Sequence, residues 1–422
     1  MPASMFPPQR LSVLSFHTSP LAPLGGRESG GMNVYVREVS AHLARGGAAV
    51  DVFTRRTDPF QPAVLTMAPG VRLVHIDAGP PERLEKEALQ PLAGAFARGV
   101  ADFARLDGVD YDLVHSHYWL AVEAGALLAR EWDVPHVAMF HTLAEVKLLA
   151  RSSEREPQSR REAERRLVHE VDRIVAATEH ERVLLDQVYG VPRDRVDVIP
   201  LGVDRDRFRP RAQLDARRSL GLDPQARVLL AAGRIEPLKG LDILIESLAQ
   251  LPGHERLQLL IVGGDERAEP EIARLRAVAH AAGVDALVRF VGPVPHEEIG
   301  VYYNAADVVV VPSFYESFGL VAAEAMASGV PVVASRVGGL TSTVADGRSG
   351  YLIPWRCPGP FAEKIDLLLE NRPLREALGA AAARSMERYE WSAVAGGLLD
   401  LYASLLRDRA AGPAAQPALA HA

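Results

Sequence analysis

The sequence predicts an α/β protein of two doubly wound parallel-sheet domains facing each other across a cleft. Three observations predict it. Short β-branched runs alternate with longer amphipathic segments, the pattern of an open sheet with helices on both faces. The alternation stops after residue 178 and starts again near residue 226. At 422 residues the chain also exceeds what one ordinary core accommodates.

In the first half, LSVLSF (11–16), AAVDVF (48–53), VRLVHI (71–76), DLVHSH (112–117), HVAMFH (136–141) and RIVAAT (173–178) read as strands. Their near-continuous apolarity fits burial on both faces. NVYVREVSAHLARGG (33–47) has helical spacing and a glycine stop, and 160–171 is a second, charge-rich helix. In the second half the strands are RVLLAAG (227–233), RLQLLIVGG (256–264), LVRFVG (287–292), DVVVVPS (307–313) and VPVVAS (330–335). The join falls in VIPLGVDRDRFRP (198–210), with proline and glycine near its ends. The expected division is 1–203, 204–390, a helix 391–408 packing across the domains, and a disordered tail 409–422.

Composition narrows the function. A net charge of −7 speaks against nucleic acid as a partner. The lone Cys357 leaves no internal disulfide, as expected in a reducing compartment. The N-terminus lacks a signal-peptide pattern, and no apolar run approaches the ~18 residues of a membrane span. A cytoplasmic protein is expected.

The stretch SFYESFGLVAAEAMASG (313–329) holds Glu316 and Glu324 on either side of a helix start at Gly319. A glycine there lets a ligand approach free N–H groups and the positive end of the helix dipole, which suits a phosphate. Carboxylates accept paired hydrogen bonds from diols. A nucleotide sugar, with ribose, diphosphate and hexose in that order, matches the arrangement. Glu316 as a helix cap and Glu324 as a solvated surface residue form the plainer reading. Arg234 and Lys239 follow the first strand of the second half in GRIEPLKG, where a guanidinium and an ammonium can hold a diphosphate.

In the first half, Gly30 and Gly31 precede a helix, with Asn33 in reach of a hydroxyl. The loop is neither a Walker loop nor GxGxxG. His115 and His117 share one side of a strand, but a third metal ligand is not evident nearby. The acidic DRD at 204–206 lies in the join and is discounted. His141 and Thr142 sit at a strand end, where a histidine serves catalysis or structure.

ESFGLVAAE, GRIEPLKG, HTSP…GGMNVYV and HSHYWL…HTLA together resemble the retaining GT-B glycosyltransferases of family 4, in order and over nearly the whole chain. Within that family the N-terminal half is most similar to the inositol-phosphate branch of mycothiol biosynthesis, with the sucrose-phosphate synthases next. The resemblance implies two Rossmann-like domains and transfer of a hexose from a nucleotide diphosphate sugar, a UDP-sugar favoured, with retention. It implies that Glu324 binds the ribose. Glu316 and the backbone of Phe318, Gly319 and Leu320 hold hexose and phosphate, and Arg234 and Lys239 hold the diphosphate. Gly31 and Asn33 complete the donor site from the opposing domain, and Val294 lies near the base. His141, Arg234, Lys239 and Glu316 are the implied catalytic groups. On the acceptor side it implies His17, Asn33, Lys86, Tyr118, Thr142 and Arg160, with Arg161 as the alternative in RSSEREPQSRREAERR, which departs from the expected pattern. No metal or other cofactor is obligatory; magnesium is allowed but not required. A homodimer is compatible with this reading.

Two other classes compete. A glycoside hydrolase also uses two carboxylates but has no need of Arg234 and Lys239 around a phosphate. A non-catalytic nucleotide-sugar sensor needs neither His141 nor Lys86.

Overall fold

The computed structural model describes residues 8–22, 30–151, 153–253, 256–354 and 356–411. The expected disordered tail falls largely at 412–422, outside the described residues.

The first half forms an eight-stranded sheet ordered β3-β4-β2-β1-β5-β6-β7-β8. Its strands are β1 Arg10–Leu14, β2 Ala49–Arg55, β3 Val64–Ala68, β4 Val71–Ile76, β5 Leu113–His117, β6 His136–Met139, β7 Arg173–Ala176 and β8 Val196–Val198. All pairings are parallel except β3 with β4. The second half forms a six-stranded parallel sheet ordered β11-β10-β9-β12-β13-β14. These are β9 Arg227–Ala232, β10 Leu257–Val262, β11 Val288–Gly292, β12 Val308–Val311, β13 Val332–Ser335 and β14 Gly350–Ile353.

Three strands were not anticipated. β3 is a partly exposed antiparallel edge without a clear apolar period, β8 is three residues long, and β14 follows the loop after Asp346. Each is too short or too exposed to stand out by periodicity alone.

Strand order reverses between β1 and β5 in one sheet and between β9 and β12 in the other. Such switch points open a crevice at the carboxyl ends of the strands. His17 follows β1 and Tyr118 follows β5; Arg234 follows β9 and Glu316 follows β12. The two crevices face one another.

The C-terminal helix, Trp391–Ala410, returns to the first half. A Cβ on Gly46 would lie 2.6 Å from Leu399, and one on Gly202 would lie 2.4 Å from the Trp391 ring. Tyr402 is fully buried, its hydroxyl 2.6 Å from His115 Nδ1. Just before this helix, Val203 N–H donates to Tyr389 C=O at 2.6 Å, so the chain crosses between the halves twice, side by side.

Candidate active site

A cavity of about 270 Å³ lies between the facing crevices. From the first half it is lined by His17, Gly31, Asn33, Lys86, Tyr118, His141, Thr142 and Arg160. From the second half come Arg234, Lys239, Val294, Glu316, Phe318, Gly319, Leu320 and Glu324. Residues more than 300 positions apart thus converge on one space.

The second-half wall is built around Gly319. It caps the Leu320–Ala327 helix at φ 89°, a left-handed conformation that favours glycine. The loop before it is clamped from behind. Gly339 N–H donates to Glu316 C=O at 2.8 Å, and Thr343 Oγ1 donates to Phe318 C=O at 2.9 Å. Side chains at Gly338 or Gly339 would strike that loop backbone at 2.0 and 2.2 Å.

The two glutamates differ sharply. Glu316 is half-buried; its Oε1 accepts from Lys239 Nζ at 2.5 Å and from Ser313 Oγ at 3.0 Å. It ties the cation to the loop and does not cap the helix. Glu324 is only 4 % exposed. Its Oε1 lies 2.7 Å from His296 Nε2, and its Oε2 accepts from the Tyr303 hydroxyl at 2.7 Å. A carboxylate so deeply held is not a solvated surface residue. Arg234 meets Glu236 at 3.0 Å. Burial pushes the Glu236 pKa up, but Arg234, Lys239, Lys147 and Lys86 together outweigh it and hold the carboxyl below its ordinary value.

On the opposite wall, Asn33 lines the cavity and is also tied into its own turn. Its Nδ2 donates to Thr18 Oγ1 at 2.9 Å and to Ser19 C=O at 2.7 Å, while its Oδ1 accepts from Gly30 N–H at 3.0 Å. Both amide hydrogens are taken by Thr18 and Ser19, so Asn33 holds the turn and has only the second lone pair of Oδ1 left to accept from a ligand hydroxyl. The turn comes close to the other half. A Cβ on Gly30 would lie 3.7 Å from Arg234 and one on Gly31 3.8 Å from Leu320. Residues 23–29 of the same loop lie outside the described residues.

Tyr118 and His141 have φ of 76° and 61°, and only two other described non-glycine residues share that left-handed region. Backbone strain of this kind clusters at functional sites. The Tyr118 ring carries Lys86 Nζ at 5.5 Å and Arg160 Cζ at 5.0 Å, and His17 packs against it at 4.4 Å. Burial, with Lys86, His141 and Arg160 nearby, holds His17 well below the usual histidine range. His141 is pushed down to about 3 by burial, and its Nε2 lies 3.1 Å from His117 Nδ1. It is a neutral imidazole at pH 7. The His115 and His117 rings lie 4.3 Å apart, tilted at 48°, and His115 is tied to Tyr402. The DRD motif is a turn, in which Asp204 Oδ1 accepts from the N–H groups of Asp206 and Arg207 at 3.0 Å.

Arg160, not Arg161, faces the cavity. Arg160 is 4 % exposed and donates to Glu164 at 2.7 Å, Glu156 at 2.8 Å and Thr142 C=O at 3.0 Å. Arg161 turns away to Glu145 at 3.0 Å. A second cavity of about 500 Å³ adjoins the first and shares Lys86, Tyr118, Lys147, Arg160, Arg234 and Glu236 with it.

The sequence reading missed Lys147, Glu236, His296, Tyr303 and Tyr315, all on the cavity wall. Nothing in the local sequence sets Tyr303 or Tyr315 apart from core aromatics. Lys147 and His296 have no local pattern. Only Glu236, between Arg234 and Lys239, carried a signal by position.

Comparison with known proteins agrees with this architecture. Residues 29–207 match the family described as Glycosyltransferase Family 4, and residues 213–385 match Glycosyl transferases group 1. The chain is 43% identical to a D-inositol 3-phosphate glycosyltransferase of Xylanimonas cellulosilytica, over 97% of this chain and 100% of the relative. It is 44% identical to one of Geodermatophilus obscurus, over 96% and 91%. Among solved structures, a sucrose-phosphate synthase of Thermosynechococcus elongatus superposes with a TM-score of 0.88 at 33% identity, covering 95% of this chain and 100% of that one. The chain therefore belongs to the family-4 glycosyltransferases of the GT-B fold.

Proposed function

We propose that this enzyme transfers a hexose from a UDP-sugar to a hydroxyl of inositol phosphate, retaining the anomeric configuration. One observation carries the reading: two cationic walls face each other across a single cavity. Arg234 and Lys239 flank the Gly319 turn on one side, and Lys86 and Arg160 share the Tyr118 ring on the other. Two anionic groups, a donor diphosphate and an acceptor phosphate, suit such a site.

In this reading Glu324 takes the ribose diol and Val294 lies by the base. The diphosphate meets Arg234, Lys239 and the N–H groups beyond Gly319. These donors also stabilise charge as the nucleoside diphosphate departs, the most productive place for fixed dipoles. Glu316 and neutral His141 bind hexose hydroxyls, and Gly31 lets the opposing turn close on the sugar. Lys86, Tyr118, Thr142 and Arg160, with His17 behind Tyr118, hold the acceptor phosphate. The cations supply the neutralisation a metal would give, so turnover should survive a chelator. A cytoplasmic reaction is part of the proposal, resting on the lone Cys357 expected in a reducing compartment; separately, no helix among the described residues is long and apolar enough to cross a membrane.

The likeness to a sucrose-phosphate synthase favours one second reading, a sugar phosphate such as fructose 6-phosphate as acceptor. A panel assay separates the two. UDP-, GDP- and ADP-sugars are each offered inositol 3-phosphate, fructose 6-phosphate, a glycerol phosphate and unphosphorylated inositol, and the anomer of any product is read by NMR. Transfer only to inositol phosphate, with retention, is expected. Transfer to unphosphorylated inositol at an equal rate would refute the acceptor phosphate site, and binding without transfer would make the protein a sensor.

A further inference from the structure

His296 lies in the loop after β11 and is 8 % exposed. Its Nδ1 faces two guanidinium groups, Arg207 at 2.9 Å and Arg37 at 3.3 Å. A guanidinium has hydrogens to give and no lone pair to offer, so Nδ1 must be the accepting nitrogen. The ring hydrogen then sits on Nε2, which donates to Glu324 Oε1 at 2.7 Å. Tyr303 donates to Oε2 at the same distance, so both oxygens are held while each keeps a further lone pair. The ring is wedged edge-on against Phe208 at 5.3 Å, and Phe208 in turn against Tyr303 at 5.9 Å.

The origins of these groups matter. Arg37 belongs to the Gly31–Arg45 helix of the first half and Arg207 to the connector. His296 and Glu324 belong to the second half. Arg37 is not among the residues that line the cavity.

We propose that His296 is a positioning residue for ribose recognition. It sets the Glu324 carboxylate through Nε2, and it is itself set by Arg37 of one half and Arg207 of the connector. The grip on the ribose therefore depends on how the two halves stand relative to each other. The inference rests on the reading of Glu324 as the ribose ligand.

Calorimetric titration with UDP and with 2′-deoxy-UDP tests it, with the matching GDP and ADP pairs run in parallel. The wild type should favour the ribonucleotide by about tenfold or more, as expected for a hydrogen bond to a charged group. His296→Phe should lower UDP affinity to the level of 2′-deoxy-UDP while leaving the latter within about twofold of wild type. His296→Gln, whose amide can donate, should restore most of the preference. Arg37→Ala should reduce the preference without touching the ligand, and it carries the test should His296→Phe fail to fold. A preference unchanged in His296→Phe and Arg37→Ala would overturn the proposal. So would an equal loss for both nucleotides, which marks a merely structural role. A wild type that binds both equally would instead refute Glu324 as ribose ligand, and the inference would fall with it.

Discussion

Lys86→Ala is the sharpest probe of the acceptor wall. Lys86 opens a single-turn helix, Lys86–Leu89, is half-buried, and holds its ammonium 5.5 Å from the Tyr118 ring centre. A charged hydrogen bond to an acceptor phosphate is worth ~1.5–3 kcal/mol, which is about one to two decades in binding. The cation–π contact is worth about 0.5–2 kcal/mol, small beside a domain's stability, so the variant should remain folded. Arg160 shows why it is the worse probe. It is 4 % exposed and paired with Glu156 and Glu164, and breaking such a pair costs roughly 3–5 kcal/mol of stability. In steady-state kinetics, Lys86→Ala should raise the KM for inositol 3-phosphate about ten- to hundredfold by the same reckoning, with the donor KM nearly unchanged. Wild-type kinetics toward every phosphorylated acceptor, or an equal rise in both constants, would refute the placement of the acceptor phosphate.

Lys239→Ala should weaken nucleoside diphosphate binding by about one to two decades in calorimetry and lower kcat further, since the proposed reaction sets the same charge against the leaving group. Gly319→Ala should cost nucleotide affinity and thermal stability together. Its φ of 89° strains any side chain, and a Cβ would lie 2.6 Å from buried Leu340. Glu181 gives a pH test. Burial pushes its carboxyl up to about 7, so between the unfolded value near 4.5 and that folded value the folded chain holds a proton that the unfolded chain does not. Stability should fall as pH rises through that window, by roughly 3 kcal/mol at most, and Glu181→Gln should flatten the slope in denaturant titrations.

Much of the fold was legible because its signals are local. Parallel strands buried on both faces are continuous apolar runs, and the Gly319 helix announces itself by a glycine before an alanine-rich segment. The cavity residues were legible for a related reason. A doubly wound sheet delivers ligands to the carboxyl ends of its strands, so residues just after those runs, His17, Tyr118, His141, Arg234 and Glu316, had to lie in the crevices.

Other features depended on neighbours distant in the chain. Arg160 and Arg161 are chemically alike, and about 100° of helix rotation puts one on the cavity and the other on Glu145. Asn33 offered a free amide until Thr18 and Ser19 took both its hydrogens. The C-terminal helix was expected to pack across the domains; that it ties Tyr402 to His115 of the first half is a contact no local pattern announces. His296 and Tyr303 carried no motif at all, because what gives them a role is contact with Glu324, Arg37 and Arg207 across the chain. Periodicity and strand-end chemistry, both local, determined the architecture and which residues meet in the crevice. The pairing of each polar group depended on three-dimensional packing, because a hydrogen bond is satisfied by whichever partner lies within about 3 Å, whatever its distance in sequence.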